Sequence, residues 1–262
     1  MNLLTCILTA NDCYKTKRTI TPKGVMVHST GANNPNIRRY VQPNAEDVDR
    51  AALLARLGTN KNKNDWNRAG LNVCVHGFVG KLADGTVAAV QTLPWNHKGW
   101  HAGTGTSGKS ANNTHISFEI CEDGLTDPDY FSRVYREAVE LTAMLCRQYG
   151  LDPLADGVVI CHQEGFRRGV ASNHGDVLHW FPRHGKSMND FRVDVAAELA
   201  PKAEHEKEDD DVAIYKTLEE IPAYYQPAVK KVINRGVMTI SDGVSETLCR
   251  MLAILDRLGK LD

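Results

Sequence analysis

Residues 24–28 read Gly-Val-Met-Val-His, an apolar run of strand-forming residues that follows Pro22 and ends on an imidazole. The run suits a strand buried on both faces, and its end is where such a strand delivers a side chain to a cleft. A second run, GVVIC at 157–161, ends in the same way, one residue before His162. Between them, 73–79 and 85–93 are β-rich stretches separated by Ala83-Asp84-Gly85, whose Asp-Gly pair signals a tight turn and therefore a hairpin. HISFEI at 115–120 is a further strand, in which alternation sets Ile116, Phe118 and Ile120 on one face and Ser117 and Glu119 on the other. Roughly four or five strands are expected.

Helical spacing fills the gaps. Residues 45–57 follow Asn44 as a cap, and 130–149 carry Val134, Ala138, Leu141 and Leu145 on one face before Gly150 stops the helix. Strands alternating with helices imply an α/β domain, a central mixed β-sheet flanked by helices. Residues 203–211, AEHEKEDDD, have no large apolar side chain and read as a solvated linker. They divide a body, 1–202, from a C-terminal piece, 212–262. There, Val229, Val232 and Ile233 precede Gly236, and Leu248, Met251, Leu252 and Leu255 follow Ser245, which predicts a small helical module. Two short helices bury little surface alone, so they are expected to dock on the body or on a second copy in a homodimer.

Composition narrows the function. The 262 residues are 42% hydrophobic and 24% charged, a globular balance. Thirty-one basic against 32 acidic residues leave a net charge of −1, too little positive field to retain a nucleic acid. No apolar run approaches the ~20 residues of a membrane span, and residues 1–15 lack a basic stretch ahead of an apolar one. Synthesis in the cytoplasm without a signal peptide is the expectation. Seven cysteines, an odd number set in apolar segments, read as reduced.

Ten histidines, nine of them between Val27 and Gly185, are the chemical signal. His28 and His162 stand at the ends of buried runs, where two imidazoles on rigid elements can form most of a metal site. The irregular stretch after His162 offers His174, Asp176, His179 and His184 as further ligands, and spacing alone leaves the choice among them open. Glu119, on the face opposite Phe118, becomes a candidate general base if that face floors a cleft, because burial raises a carboxyl pKa. Arg167 and Arg168 could pair with substrate carboxylates.

Together these segments resemble the type-2 N-acetylmuramoyl-L-alanine amidases, zinc enzymes that include phage endolysins and autolysins and are related to the peptidoglycan recognition proteins. The landmarks occur in family order over about residues 24–181: VMVHST, the hairpin VCVHGFVGKLADGTVAAVQTLP, GWHAG, NNTHISFEICED and ICH. The resemblance implies Zn2+ held by His28, His162 and Asp176, with Phe181 as the aromatic five residues beyond the third ligand. It implies Glu119 as the catalytic carboxylate and His174 in place of a lysine that stabilises the transition state, while His101 of GWHAG lines the substrate cleft. The chain departs from the family in a longer stretch before Asp176 and in Val177-Leu178 where Pro-Gly is usual, which keeps His174 and His179 as alternative ligands. The implied substrate is bacterial peptidoglycan, cut between N-acetylmuramic acid and L-alanine at the cell wall by a phage-type endolysin released through a holin. The C-terminal piece resembles small wall-targeting modules. The competing readings are a non-catalytic peptidoglycan binder and a zinc peptidase acting on the stem peptide.

Overall fold

The computed structural model describes residues 1–200, 213–241 and 243–261, and the expected linker at 203–211 lies outside them. The elements, in chain order, are β1 (Leu3–Thr5), α1 (Asp12–Lys15), β2 (Gly24–Ser29), α2 (Arg50–Leu57), β3 (Gly77–Lys81), β4 (Val87–Gln91), β5 (His115–Ile120), α3 (Pro128–Tyr149), β6 (Val159–Cys161), α4 (His162–Arg167), α5 (Met188–Leu199), β7 (Ile214–Tyr215), α6 (Gln226–Asn234), β8 (Val244–Ser245) and α7 (Glu246–Arg257). Two compact units result, one over Met1–Ala200 and one over the described residues beyond it.

The first unit is built on a six-stranded mixed sheet of order β1-β4-β3-β5-β2-β6. Only the β3–β4 hairpin is antiparallel, so β2, β3, β5 and β6 end at the same edge. All six residues of β2 are buried, yet its side chains still alternate. Val25 and Val27 join Ile116, Phe118 and Ile120 in a core closed by α3 and α5, whereas Met26 packs on the opposite face with Ala102, Ala111, Ile160 and Ala171. His28 shares parity with Met26, and it pairs in register with Glu119. Gly24 has to be glycine, because a Cβ there would lie 2.3 Å from the Val158 carbonyl oxygen.

α3 starts earlier than its apolar pattern shows. Asp127 accepts hydrogen bonds from the backbone of Asp129 and Tyr130, Pro128 takes the first helical position, and Gly150 closes the helix in a left-handed conformation. Three other expectations shift. The helix expected over 45–57 forms only from Arg50, because Asp47 caps the backbone of Asn44 and the chain turns there. The first hairpin strand starts at Gly77 instead of at 73, since Cys74 pairs with Trp100. The sheet also exceeds the expected strand count through β1, which adds in parallel to β4. All seven cysteines are free and buried.

The second unit has its own core. Ile221, Tyr225, Val229, Val232, Val244, Cys249 and Leu252 pack together beneath an antiparallel β7–β8 pair that the helical pattern did not reveal. Met251, expected on the buried stripe of α7, is 53% exposed; Cys249 and Ala253 take the inner positions instead. Among the described residues no helix is long and apolar enough to cross a membrane.

His76 links this packing to pH. It is fully buried, with Nδ1 accepting from the Ser117 backbone and Nε2 donating to the His97 carbonyl, and burial pulls its pKa from 6.5 to about 4. The unfolded chain therefore takes up this proton more readily than the folded one. Stability is fully present above pH 6.5 and falls as the pH drops from there to about 4, by up to ~3 kcal/mol. NMR of the folded protein should find the His76 ring resonances still in the neutral form at about pH 5; a ring that protonates above about pH 6 would contradict this account.

Candidate active site

Parity, register and a helix start bring the chemistry to one edge of the sheet. β2 delivers His28 and β5 delivers Glu119 to the face opposite α3. His162, expected at a strand end, is instead the first residue of α4, directly after β6. That helix start is held from two sides. The Glu164 carboxylate accepts from the Cys161 backbone and also takes a two-pronged ion pair from Arg192 of α5, at 3.0 and 3.1 Å. Asp176 comes from the irregular segment that follows, anchored just beyond it by Val177, Trp180 and Phe181, all fully buried.

Three acceptor atoms meet there. His28 Nδ1 lies 3.1 Å from His162 Nδ1 and 3.1 Å from Asp176 Oδ2, and His162 Nδ1 lies 3.4 Å from the same oxygen. The other ring nitrogens are engaged elsewhere. His28 Nε2 is 3.1 Å from His101 Nδ1, and His162 Nε2 is 3.3 Å from Ser172 Oγ, which donates onward to the Ala102 carbonyl. Assigning protons through this network puts N–H on both Nε2 atoms and leaves both Nδ1 lone pairs bare. Two bare imidazole nitrogens and a carboxylate oxygen at this spacing repel unless a cation sits among them. Their separations also suit a tetrahedral ion with ligands at roughly 2.0–2.1 Å, for which neighbouring ligands stand roughly 3.3 Å apart. The residues present thus fit a divalent metal.

Electrostatics match the geometry. Burial works against the ionised Asp176 carboxylate, but its closeness to the His162 and His28 rings outweighs this and holds the group far below the usual carboxylate range. Burial lowers the His28 pKa, opposed by Asp176, and lowers that of His101 strongly, so both stay neutral. Glu119 goes the other way: burial first, then the negative charges of Asp176 and Glu122, push its pKa well up. Its Oε2 is enclosed and has no hydrogen-bond partner, and the same is true of His101 Nε2. Both residues line an open cleft of about 290 Å³ whose walls also include Trp100, Ser172 and His174.

Other residues singled out in the sequence sit elsewhere. His174 stands at the rim, its ring 4.7 Å from that of His162, and is not among the three converging groups. His179 bonds the buried Glu122 at 2.9 Å, and His184 stacks on Phe131 at 4.1 Å. Arg167 is exposed at the end of α4, and Arg168 pairs with Asp156. Neither arginine lines the cleft. Ser172 and Trp100 escaped the sequence reading. Nothing in GVASNHGD marks one serine as the partner of a distant histidine, and nothing in GWHAG marks Trp100, 42% exposed, as a wall of the cleft.

A family model for N-acetylmuramoyl-L-alanine amidase (Amidase_2) matches residues 18–178, more than half of the chain. Among solved structures, the Staphylococcus aureus hydrolase AmiA in complex with its ligand aligns with a TM-score of 0.51 and 17% identity, over 76% of this chain and 83% of that one. The PlyG catalytic domain aligns at 0.48 and 19%, over 78% and 98%, and a mutant endolysin from Bacillus subtilis at 0.45 and 19%, over 74% and 99%. At such identities the AmiA likeness is one of fold. No curated protein sequence matches the chain.

The raised pKa of Glu119 makes a prediction for the metal-free fold. A folded pKa above the unfolded 4.5 means that stability is highest in acid and is lost as the pH rises and the buried carboxyl must ionise. Glu119→Gln removes that charge, so in chelator its Tm should exceed the wild-type value at about pH 8, with the gain shrinking toward about pH 4. A Tm unchanged or lowered at about pH 8 would show that the carboxyl is not strained by burial.

Proposed function

The chain belongs to the N-acetylmuramoyl-L-alanine amidase family, and from that premise we propose that it cuts the amide between N-acetylmuramic acid and L-alanine in peptidoglycan with a zinc ion held by His28, His162 and Asp176. The observation that carries the metal reading is the meeting of three proton-free acceptor atoms within 3.4 Å. Bound there, zinc supplies a Lewis acid for the scissile carbonyl and for water. One carboxylate with two neutral imidazoles leaves the ion a net positive charge, which preserves that acidity.

Every other step belongs to side chains of the protein. Glu119, partnerless and raised in pKa, takes the proton of the attacking water and returns it to the departing L-alanine nitrogen. His101, which accepts from His28 at Nδ1, fixes the tautomer of that ring and lines the cleft beside the substrate. His174 at the rim supplies a second donor to the oxygen that gains charge in the transition state. Ser172 holds the ring of His162 from behind. We assign the C-terminal unit to wall targeting and the whole to a phage-type endolysin that reaches the wall after holin release. Arg167 and Arg168, which do not line the cleft, take no part in the reaction.

Product analysis tests the reaction. Digested walls should yield stem peptides with a new L-alanine amino terminus; fragments cut within the stem would mean a peptidase, and unchanged walls a binder. Glu119→Gln should bind zinc normally yet lose on the order of 10²-fold or more in turnover. Ser172→Ala and Asp176→Ala should weaken zinc binding, measured against a competing chelator, by about tenfold or more. Wild-type zinc affinity in Asp176→Ala would remove the ligand assignment.

A further inference from the structure

A second cavity, of about 550 Å³ and so roomier than the catalytic cleft, is lined by Asn34, Asn36, Arg38, Arg39 and residues 59–62, none of them acidic. Arg39 is spent on structure: its guanidinium donates to the Asn64 carbonyl at 2.6 Å and lies 5.2 Å from the centre of the Tyr40 ring. Arg38 and Lys61 are not. Neither has an ion pair among the described residues, although Arg38 is half-buried. Gly58 makes room for it, since a Cβ there would stand 3.2 Å from Arg38 Cδ and 3.4 Å from Nη1. A half-buried guanidinium with no carboxylate is an unfilled requirement for an anion.

The position of the cavity ties it to the catalytic edge. Its wall is the segment that continues β2 beyond His28. Asn36 bridges Lys81 at the end of β3, the neighbour of β5, and the Asn34 backbone donates to the Glu122 carbonyl, three residues past Glu119. Strands lie ~4.8 Å apart and an extended peptide advances ~3.3 Å per residue, so a peptide of about three residues spans two strand spacings. The asparagines indicate what kind of anion fits. Asn34 Oδ1 accepts from the backbone and side chain of Asn36, which leaves the Asn34 amide N–H and Asn36 Oδ1 available. A phosphodiester polymer would need donors only. A peptide unit presents both a donor and an acceptor, and this pair answers both.

We propose that the Arg38–Lys61 cavity binds the stem peptide on the amine side of the scissile bond and selects stems with a free carboxylate over amidated ones. This rests on the amidase reading above. The probes are the tripeptide L-Ala-γ-D-Glu-L-Lys, its D-isoglutamine counterpart, and poly(glycerol phosphate), titrated calorimetrically into the full-length zinc-loaded protein. Wild type should bind the free acid about tenfold or more tightly than the amidated peptide. Arg38→Gln and Lys61→Gln should each erase most of that preference and raise KM for an acid-bearing muramyl peptide with little change in kcat. Lys61 is exposed, so its variant keeps the test open should Arg38→Gln not fold. Equal wild-type affinity for the two peptides, or variants that bind like wild type, would overturn the proposal, as would capture of poly(glycerol phosphate) in place of the tripeptide. Wall digestion scored separately for new L-alanine amino termini keeps the two readings distinguishable: its failure sinks the amidase assignment, whereas unchanged peptide selectivity sinks only this cavity.

Discussion

Two imidazole nitrogens and one carboxylate oxygen, each a bare acceptor, face one another at 3.1–3.4 Å, and the surrounding structure is arranged to keep them there. Left to itself such a cluster would disperse into water or take up protons. It persists because each group is fixed from behind: His28 by a fully buried strand and His101, His162 by Ser172 and the Glu164–Arg192 pair, Asp176 by the aromatic anchor that follows it. A cation in their midst converts the mutual repulsion into attraction. That is the physical sense in which the fold is preorganised for a metal.

The sheet makes this possible through direction and parity. Parallel strands end together, so β2, β5 and β6 present their last residues along one line. Within β2 the valines face α3 while Met26 and His28 face the cleft, so one strand serves both core and site. The same rule in β5 buries Phe118 under α3 and turns Glu119 toward His28. Its carboxyl has left water without gaining a hydrogen-bond partner, a cost to stability that raises its affinity for a proton. A group in that condition is suited to moving protons.

The edge extends beyond the catalytic residues. One strand further along, the continuation of β2 folds over the end of β3 and encloses a cavity with unneutralised positive charge. An amide that joins a sugar to a peptide needs support on both sides of the cut. A cationic, asparagine-lined cavity on the same sheet edge as the catalytic cleft matches the asymmetry of that substrate.

Local chemistry was legible without coordinates. The apolar run before His28, the alternation in HISFEI, the Asp-Gly turn and the capped, periodic α3 all follow from side-chain preferences acting over a few residues, and the ordered motifs marked His28, His162, Asp176 and Glu119 as candidates. What spacing left open was decided by distance in space: Asp176 joins the imidazoles, while His179 is held by Glu122 and His174 stays at the rim. Arg168 is turned to Asp156, and Ser172 gains its role only because a loop ten residues after His162 folds back onto it. The sequence by itself determined which segments become strands and helices and which side chains carry the chemistry, because those depend on neighbours along the chain. Only the tertiary structure decided which of those side chains meet, which lose their water and which cations stay unpaired, because convergence, burial and charge balance are set by residues that are distant in the chain and adjacent in the fold.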